Sequence, residues 1–160
     1  MVMDRKIVFL AKFFALFFAL QFLALIADLS ILQNAISSGI SSMAGLEYSG
    51  KFIFVKDGAF EITPSCTGLV SAAILAAIIF SLRKPEMKNK FLLLFAGAIV
   101  LFIVNYFRVL FVVIAGKEFG VATAELLHII SWFVMSAGII LVWYWFTKKL
   151  AKIESFDGFL

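Results

Sequence analysis

The sequence predicts an all-α integral membrane protein with four transmembrane helices, and a small extracytoplasmic amphipathic helix and β-hairpin between the first and second. Three observations carry that expectation. Of 160 residues, 64% are apolar, 15% are charged and 20 are Phe, a composition too apolar for a soluble domain of this size. Four apolar runs of about twenty residues fill most of the chain, which is the length that crosses the hydrocarbon core of a bilayer. Lys and Arg fall between those runs instead of along one face, so the net charge of +4 reads as a topology signal and not as a nucleic-acid surface. The single Cys rules out an intramolecular disulfide, a CxxC redox pair and a thiolate zinc cage.

The first run, residues 7–27, follows Arg5 and Lys6 and contains one charge, Lys12, whose long side chain can reach the near surface. It is too long for a signal-peptide core, and no small-residue cleavage site comes directly after it, so it reads as a retained anchor. The remaining runs are 66–82, 91–115 and 126–147, and the whole of 1–160 reads as one membrane domain. Between the first and second lies an outer segment, 28–65. Its first half, Ser30 to Leu46, places Ile31, Leu32, Ala35, Ile36, Ile40 and Met43 at helical spacing, as in an interfacial helix. Its second half, Tyr48 to Thr63, has two apolar stretches around Lys56-Asp57-Gly58, the pattern of a hairpin turning at Asp-Gly.

Orientation comes from the basic residues. Arg5, Lys6 and Lys12, then Arg83, Lys84, Lys88 and Lys90, then Lys148, Lys149 and Lys152 all fall on one side of a four-helix topology. The other side holds Lys51, Lys56, Lys117 and Arg108 against Asp28, Glu47, Asp57, Glu61, Glu118 and Glu125. By the positive-inside rule both termini are cytoplasmic and the chain sits in the plasma membrane.

Three ionisable residues converge on the outer face. Cys66 stands at the outer N-terminal end of the second run, where free amides and the helix dipole favour an anion and suit a nucleophilic thiolate. Arg108 lies about 26 Å along the third run from Phe91, with Asn105 one turn below it. An Arg in an apolar run is costly and usually faces a protein interior, a polar cavity or a partner. His128 opens the fourth run, and Glu125, three residues earlier, is placed to orient its ring or to remain in water. Cys66, Glu125 and His128 lack a zinc-site spacing and a full ligand set, and no cofactor is expected. A thiol, an imidazole and a guanidinium together are the equipment for acyl transfer. Two other classes fit the composition: a small four-helix transporter or channel subunit, and a noncatalytic membrane assembly factor. A transporter generally needs a polar site near the midplane, whereas the central turns here are Phe, Leu, Ile, Val, Ala and Gly.

The stretch Pro64-Ser65-Cys66-Thr67-Gly68-Leu69, then Asn105-Tyr106-Phe107-Arg108, then His128 with Gly138 resembles the exosortase/archaeosortase family over roughly residues 48–145. The resemblance implies an integral-membrane cysteine transpeptidase. Its partners would be exported proteins whose C-terminal sorting signal comprises a motif, a membrane helix and a basic tail, and the acceptor would be either a membrane lipid, which anchors the product, or water, which releases it. It implies Cys66 as nucleophile, Arg108 as stabilising Arg and His128 as the third catalytic residue, supported by Asn105, Glu125 and Thr67. Some archaeal members carry Arg at the position of His128, and many relatives have more membrane helices.

The topology is testable directly. Single-Cys variants at Lys88 and at Asp57 are expected to label from opposite sides of the membrane with an impermeant thiol reagent. Labelling of both from outside would overturn the orientation.

Overall fold

The computed structural model describes residues 2–151; Lys152, one of the basic tail residues, lies outside the described residues. The chain runs α1 (Val2–Ile26), α2 (Ser30–Ala44), β1 (Tyr48–Ser49), β2 (Phe52–Val55), β3 (Gly58–Glu61), a 3-10 turn (Pro64–Thr67), α3 (Leu69–Ser81), α4 (Met87–Phe119) and α5 (Val121–Ala151). Among the described residues, α1, α4 and α5 are long and apolar enough to cross a membrane.

The second apolar run is divided where one helix over 66–82 was expected. Pro64 opens the 3-10 turn, and Gly68, at φ +86°, closes it before α3 begins at Leu69. A Cβ at Gly68 would lie 2.7 Å from the Phe102 ring, so the close approach as well as the left-handed backbone calls for Gly. Helix α3 has 13 residues, a length of about 20 Å at helical rise against about 30 Å of hydrocarbon.

The chain forms two compact units. One comprises α1, α3 from Val70, α4 through Leu101 and α5 from Ala137. Leu75, Ile79, Leu93, Leu101, Ile139 and Trp143 are buried in it. Gly97 lets α4 pass close to Leu75, whose side chain a Cβ would approach to 2.6 Å. None of the apolar stretch of α1 is buried, and Phe9, Phe13, Phe14, Phe17 and Phe18 stack on one another along its surface. Lys90 departs from its place in the basic loop: it is buried, and its ammonium donates to the Leu82 carbonyl just beyond α3.

The other unit holds α2, the sheet, the 3-10 turn, α4 from Phe102 and α5 through Ser136. Helix α2 occupies the expected place, and its apolar residues divide between an inward and an outward face. Gln33, Ser37, Ile40, Ser41 and Ala44 are buried, whereas Ile31 and Met43 are 83% and 60% exposed. The small and polar stripe can approach its neighbours closely and bond to them: Gln33 Nε2 donates to Ile62 O at 2.6 Å, tying α2 to the end of β3. At its start the Ser30 amide donates to Asp28 Oδ1 at 2.9 Å, which holds that carboxyl below the usual carboxylate value. This cap is therefore present above the ordinary carboxylate pKa and is lost as acid protonates Asp28.

The sheet is a three-stranded antiparallel meander, β1-β2-β3, one strand more than the expected hairpin. Val55 pairs with Gly58, so Lys56 and Asp57 alone form the connection, and the left-handed glycine is Gly50 between β1 and β2. Asp57 has another task. Its Oδ1 accepts from the Val121 amide at 2.6 Å, a long-range cap on the first turn of α5. Gly120, at φ +94°, is the sole residue between α4 and α5, and a Cβ there would lie 2.6 Å from the same carboxylate.

Helix α4 extends to Phe119 instead of Ala115 because its last turns are buried. Val109, Val112 and Val113 pack with Ile40, Ile53, Phe60 and Ile62, and Lys117 Nζ donates to Ala44 O at 2.7 Å. Asp57→Ala is expected to lower stability by about 1–2 kcal/mol, and Asp57→Asn by less. Thermal unfolding in detergent micelles measures the difference.

Candidate active site

The site is built where the 3-10 turn meets α4 and α5. Cys66 lies within the turn, ahead of α3 and separated from it by the left-handed Gly68. It therefore does not occupy the first turn of the α-helix, as its place in the apolar run had suggested. The turn is locally determined: Pro64 sets its start, Thr67 Oγ1 donates to Pro64 O at 2.6 Å, and the Cys66 amide donates to Thr63 O at 2.9 Å. Cys66 is 1% exposed and belongs to the buried cluster that includes Ile40, Ile62 and Val109, with Thr63 Oγ1 3.4 Å from its Sγ.

Asn105 joins the turn to α4. Its Nδ2 donates to Cys66 O at 2.6 Å, and its Oδ1 accepts from Arg108 Nη1 at 3.1 Å. Residues 105 and 108 are one helical turn apart, so both project from one face of α4. Burial of these polar groups is compensated bond for bond. Arg108, 9% exposed, also donates from Nε to Ser131 Oγ at 2.6 Å and from Nη2 to His128 O at 3.2 Å. Three of the five guanidinium N–H groups are thus committed, and of the two others one faces His128 Nδ1 across 3.4 Å.

His128 is positioned by its own helix. Ser131 and Trp132, three and four residues on, share its face of α5. Ser131 Oγ donates to His128 O at 2.8 Å while accepting from Arg108, and Trp132 Nε1 lies 3.4 Å from His128 Nε2. The Trp132 ring also covers the Arg108 guanidinium at 4.9 Å. Both imidazole nitrogens therefore meet donors, and a neutral ring accepts at only one of them in either tautomer. The Phe60 ring packs edge-on against the imidazole at 5.7 Å.

The structure thus brings Asn105, Arg108 and His128 into one hydrogen-bonded network, with the backbone of Cys66 attached through Asn105. Thr67 closes the 3-10 turn. Glu125 is exposed and shares with His128 and Thr63 the wall of an open cleft of about 480 Å³. Thr63, Ser131 and Trp132 belong to the site without having been expected there from the sequence. The spacing of the last two from His128 was the available signal, since helical periodicity puts positions i, i+3 and i+4 together.

Removing the bridging carboxamide would leave the Cys66 carbonyl and one Arg108 N–H buried without partners. Asn105→Ala is therefore expected to cost about 1–3 kcal/mol of stability. Asn105→Asp, which keeps the acceptor for Arg108 and loses the donor to Cys66, should lose less. Unfolding temperatures in micelles compare the two.

No curated protein and no solved structure matches the chain. The family model described as transmembrane exosortase (Exosortase_EpsH) matches residues 4–144. Its span contains the 3-10 turn with Cys66, the Asn105 and Arg108 pair and His128, and three apolar helices of spanning length lie within or across it. This is a multi-pass membrane protein that belongs to the transmembrane exosortase family.

Proposed function

We propose that the chain is a membrane-embedded cysteine transpeptidase that cleaves the C-terminal sorting signal of exported proteins through a thioester acyl-enzyme and transfers them to a lipid anchor. Family membership supports the reaction class. The observation that carries the residue roles is the network through Asn105, which holds the Cys66 turn and the Arg108 guanidinium in one arrangement.

In this reading His128 takes the thiol proton and Cys66 Sγ attacks the carbonyl carbon of the scissile peptide. Negative charge passes to the carbonyl oxygen, and Arg108 meets it with the N–H groups not committed to Ser131, Asn105 and the His128 carbonyl. Because the guanidinium is already held on three sides, little reorganisation is needed as that charge develops. The C–N bond then breaks, the imidazolium protonates the departing amine, and the acyl group remains on sulfur. An amine or hydroxyl of the acceptor lipid attacks the thioester and gives its proton to His128, and the thiol is regenerated. The active site lies at the extracytoplasmic face, where an exported substrate presents its motif beside its own membrane helix.

The roles separate by mutation. Cys66→Ala should abolish processing of a co-expressed reporter carrying a C-terminal sorting signal from the same genome, with the protein still inserted and folded. Arg108→Lys keeps the charge but loses the fork, and activity should fall by about two to three orders of magnitude. His128→Gln should flatten the dependence of turnover on pH that a proton carrier imposes. Near-wild-type processing by Cys66→Ala would exclude cysteine catalysis, and a normal pH profile in His128→Gln would assign the proton transfer to another group.

A further inference from the structure

Strand β3 is an edge of the sheet, and its register decides which of its backbone groups are used. With a two-residue connection, Val55 and Gly58 form the closing hydrogen-bonded pair, Ile53 and Phe60 the next, and the Ile62 amide continues the ladder to Lys51 O at 2.8 Å. Gly58, Phe60 and Ile62 therefore point their backbone groups toward β2. Ala59 and Glu61 point theirs the other way, spaced by two residues as a further strand would require.

That outward edge forms one wall of the open cleft beside His128. Ala59, Glu61 and Thr63 line it from the strand side, and Glu125, His128 and Ile129 from α5. Its volume of about 480 Å³ is within the range of ligand-binding clefts. It also reaches the chemistry at both walls, since Thr63 Oγ1 touches Cys66 Sγ and the His128 ring faces Arg108. The charge in the cleft is acidic. Glu61 is paired with Lys51 at 2.7 Å, whereas Glu125 has no ion pair among the described residues.

We propose that the cleft between β3 and α5 receives the extended, non-acidic segment of the substrate that precedes its membrane helix, bound as a fourth strand on the outward edge of Ala59 and Glu61. The proposal rests on the transpeptidase reading for the identity of the substrate and adds how that substrate is held. Main-chain pairing supplies affinity without regard to side chain, and it lays the segment along β3, whose end leads to Thr63 and Cys66. Glu125 then selects against an acidic segment, because a carboxylate there would meet a second one across the cleft.

Proline distinguishes the outward edge from the ladder. At position 59 it removes a donor that β2 does not use, a placement that edge strands tolerate. With the sorting-signal reporter as probe, Ala59→Pro is expected to raise KM about tenfold with kcat nearly unchanged, while Ala59→Ser, which keeps the N–H, raises it several-fold less than Ala59→Pro does. An Asp placed in the reporter segment should raise KM several-fold, and Glu125→Gln should remove that penalty. Unchanged KM in Ala59→Pro overturns the proposal. If that variant unfolds, p-benzoylphenylalanine in place of Phe52, in the Cys66→Ala background, decides instead. Adducts to the reporter segment just before its membrane helix support strand addition; adducts only within that helix, or to a second copy of this chain, overturn it. Processing that survives Cys66→Ala would remove the cysteine mechanism while the crosslink still reports what occupies the cleft.

Discussion

A buried guanidinium imposes the tightest constraint in this molecule. Arg108 lies on a helix whose other surfaces are mostly Phe, Val, Leu and Ile, and its charge is sustained there by acceptors on three sides and the Trp132 ring. Leaving such a group without partners costs several kcal/mol, so the surrounding elements are arranged about it. Ser131 and the His128 carbonyl fix the rotation of α5, and Asn105 reaches from α4 to the turn that carries the cysteine. The same bonds that make the charge tolerable hold the Cys66 turn, Arg108 and His128 in one network. Stability and geometry are therefore coupled here, and a substitution that relaxes one disturbs the other.

The backbone around this network has little freedom. Gly68 and Gly120 each adopt positive φ, and at each a methyl group would collide with a neighbour, the Phe102 ring in one case and the Asp57 carboxylate in the other. One positions the cysteine turn before α3; the other turns α4 into α5 with no intervening loop. Asp57 caps α5 across the chain from the β2–β3 connection, so the small sheet sets where α5 begins and, eight residues into the chain beyond Gly120, where His128 stands.

Much of this was legible in the sequence, and the failures have physical causes. Three of the four expected spanning helices, the helix that follows the first of them and the apolar strands come from hydropathy and period, which depend on local composition. Cys66, Arg108 and His128 could be singled out because ionisable residues are rare in such runs, and the family's ordered motif added Asn105. Helix ends were misjudged where tertiary burial decides them: α4 continues to Phe119 because Val112 and Val113 have a core to enter. The inward face of α2 was left unspecified, because periodicity locates an apolar stripe but cannot say whether lipid or protein covers it: Ile40 is buried, whereas Ile31 and Met43 are exposed. Trp132 and Ser131 went unnoticed because an aromatic and a hydroxyl look ordinary in a membrane helix until a cation is placed against them.

The division of α2 between a largely polar inward stripe and exposed Ile31 and Met43 has a consequence for handling the protein. A helix that turns Ser and Gln inward and Ile31 and Met43 outward would present grease to water in any excised fragment, while the polar bonds it makes inside, such as that from Gln33 to the Ile62 carbonyl, would no longer be sheltered. A fragment holding α2 and the sheet would therefore expose apolar side chains to water, and detergent or nanodisc is the natural medium for this chain.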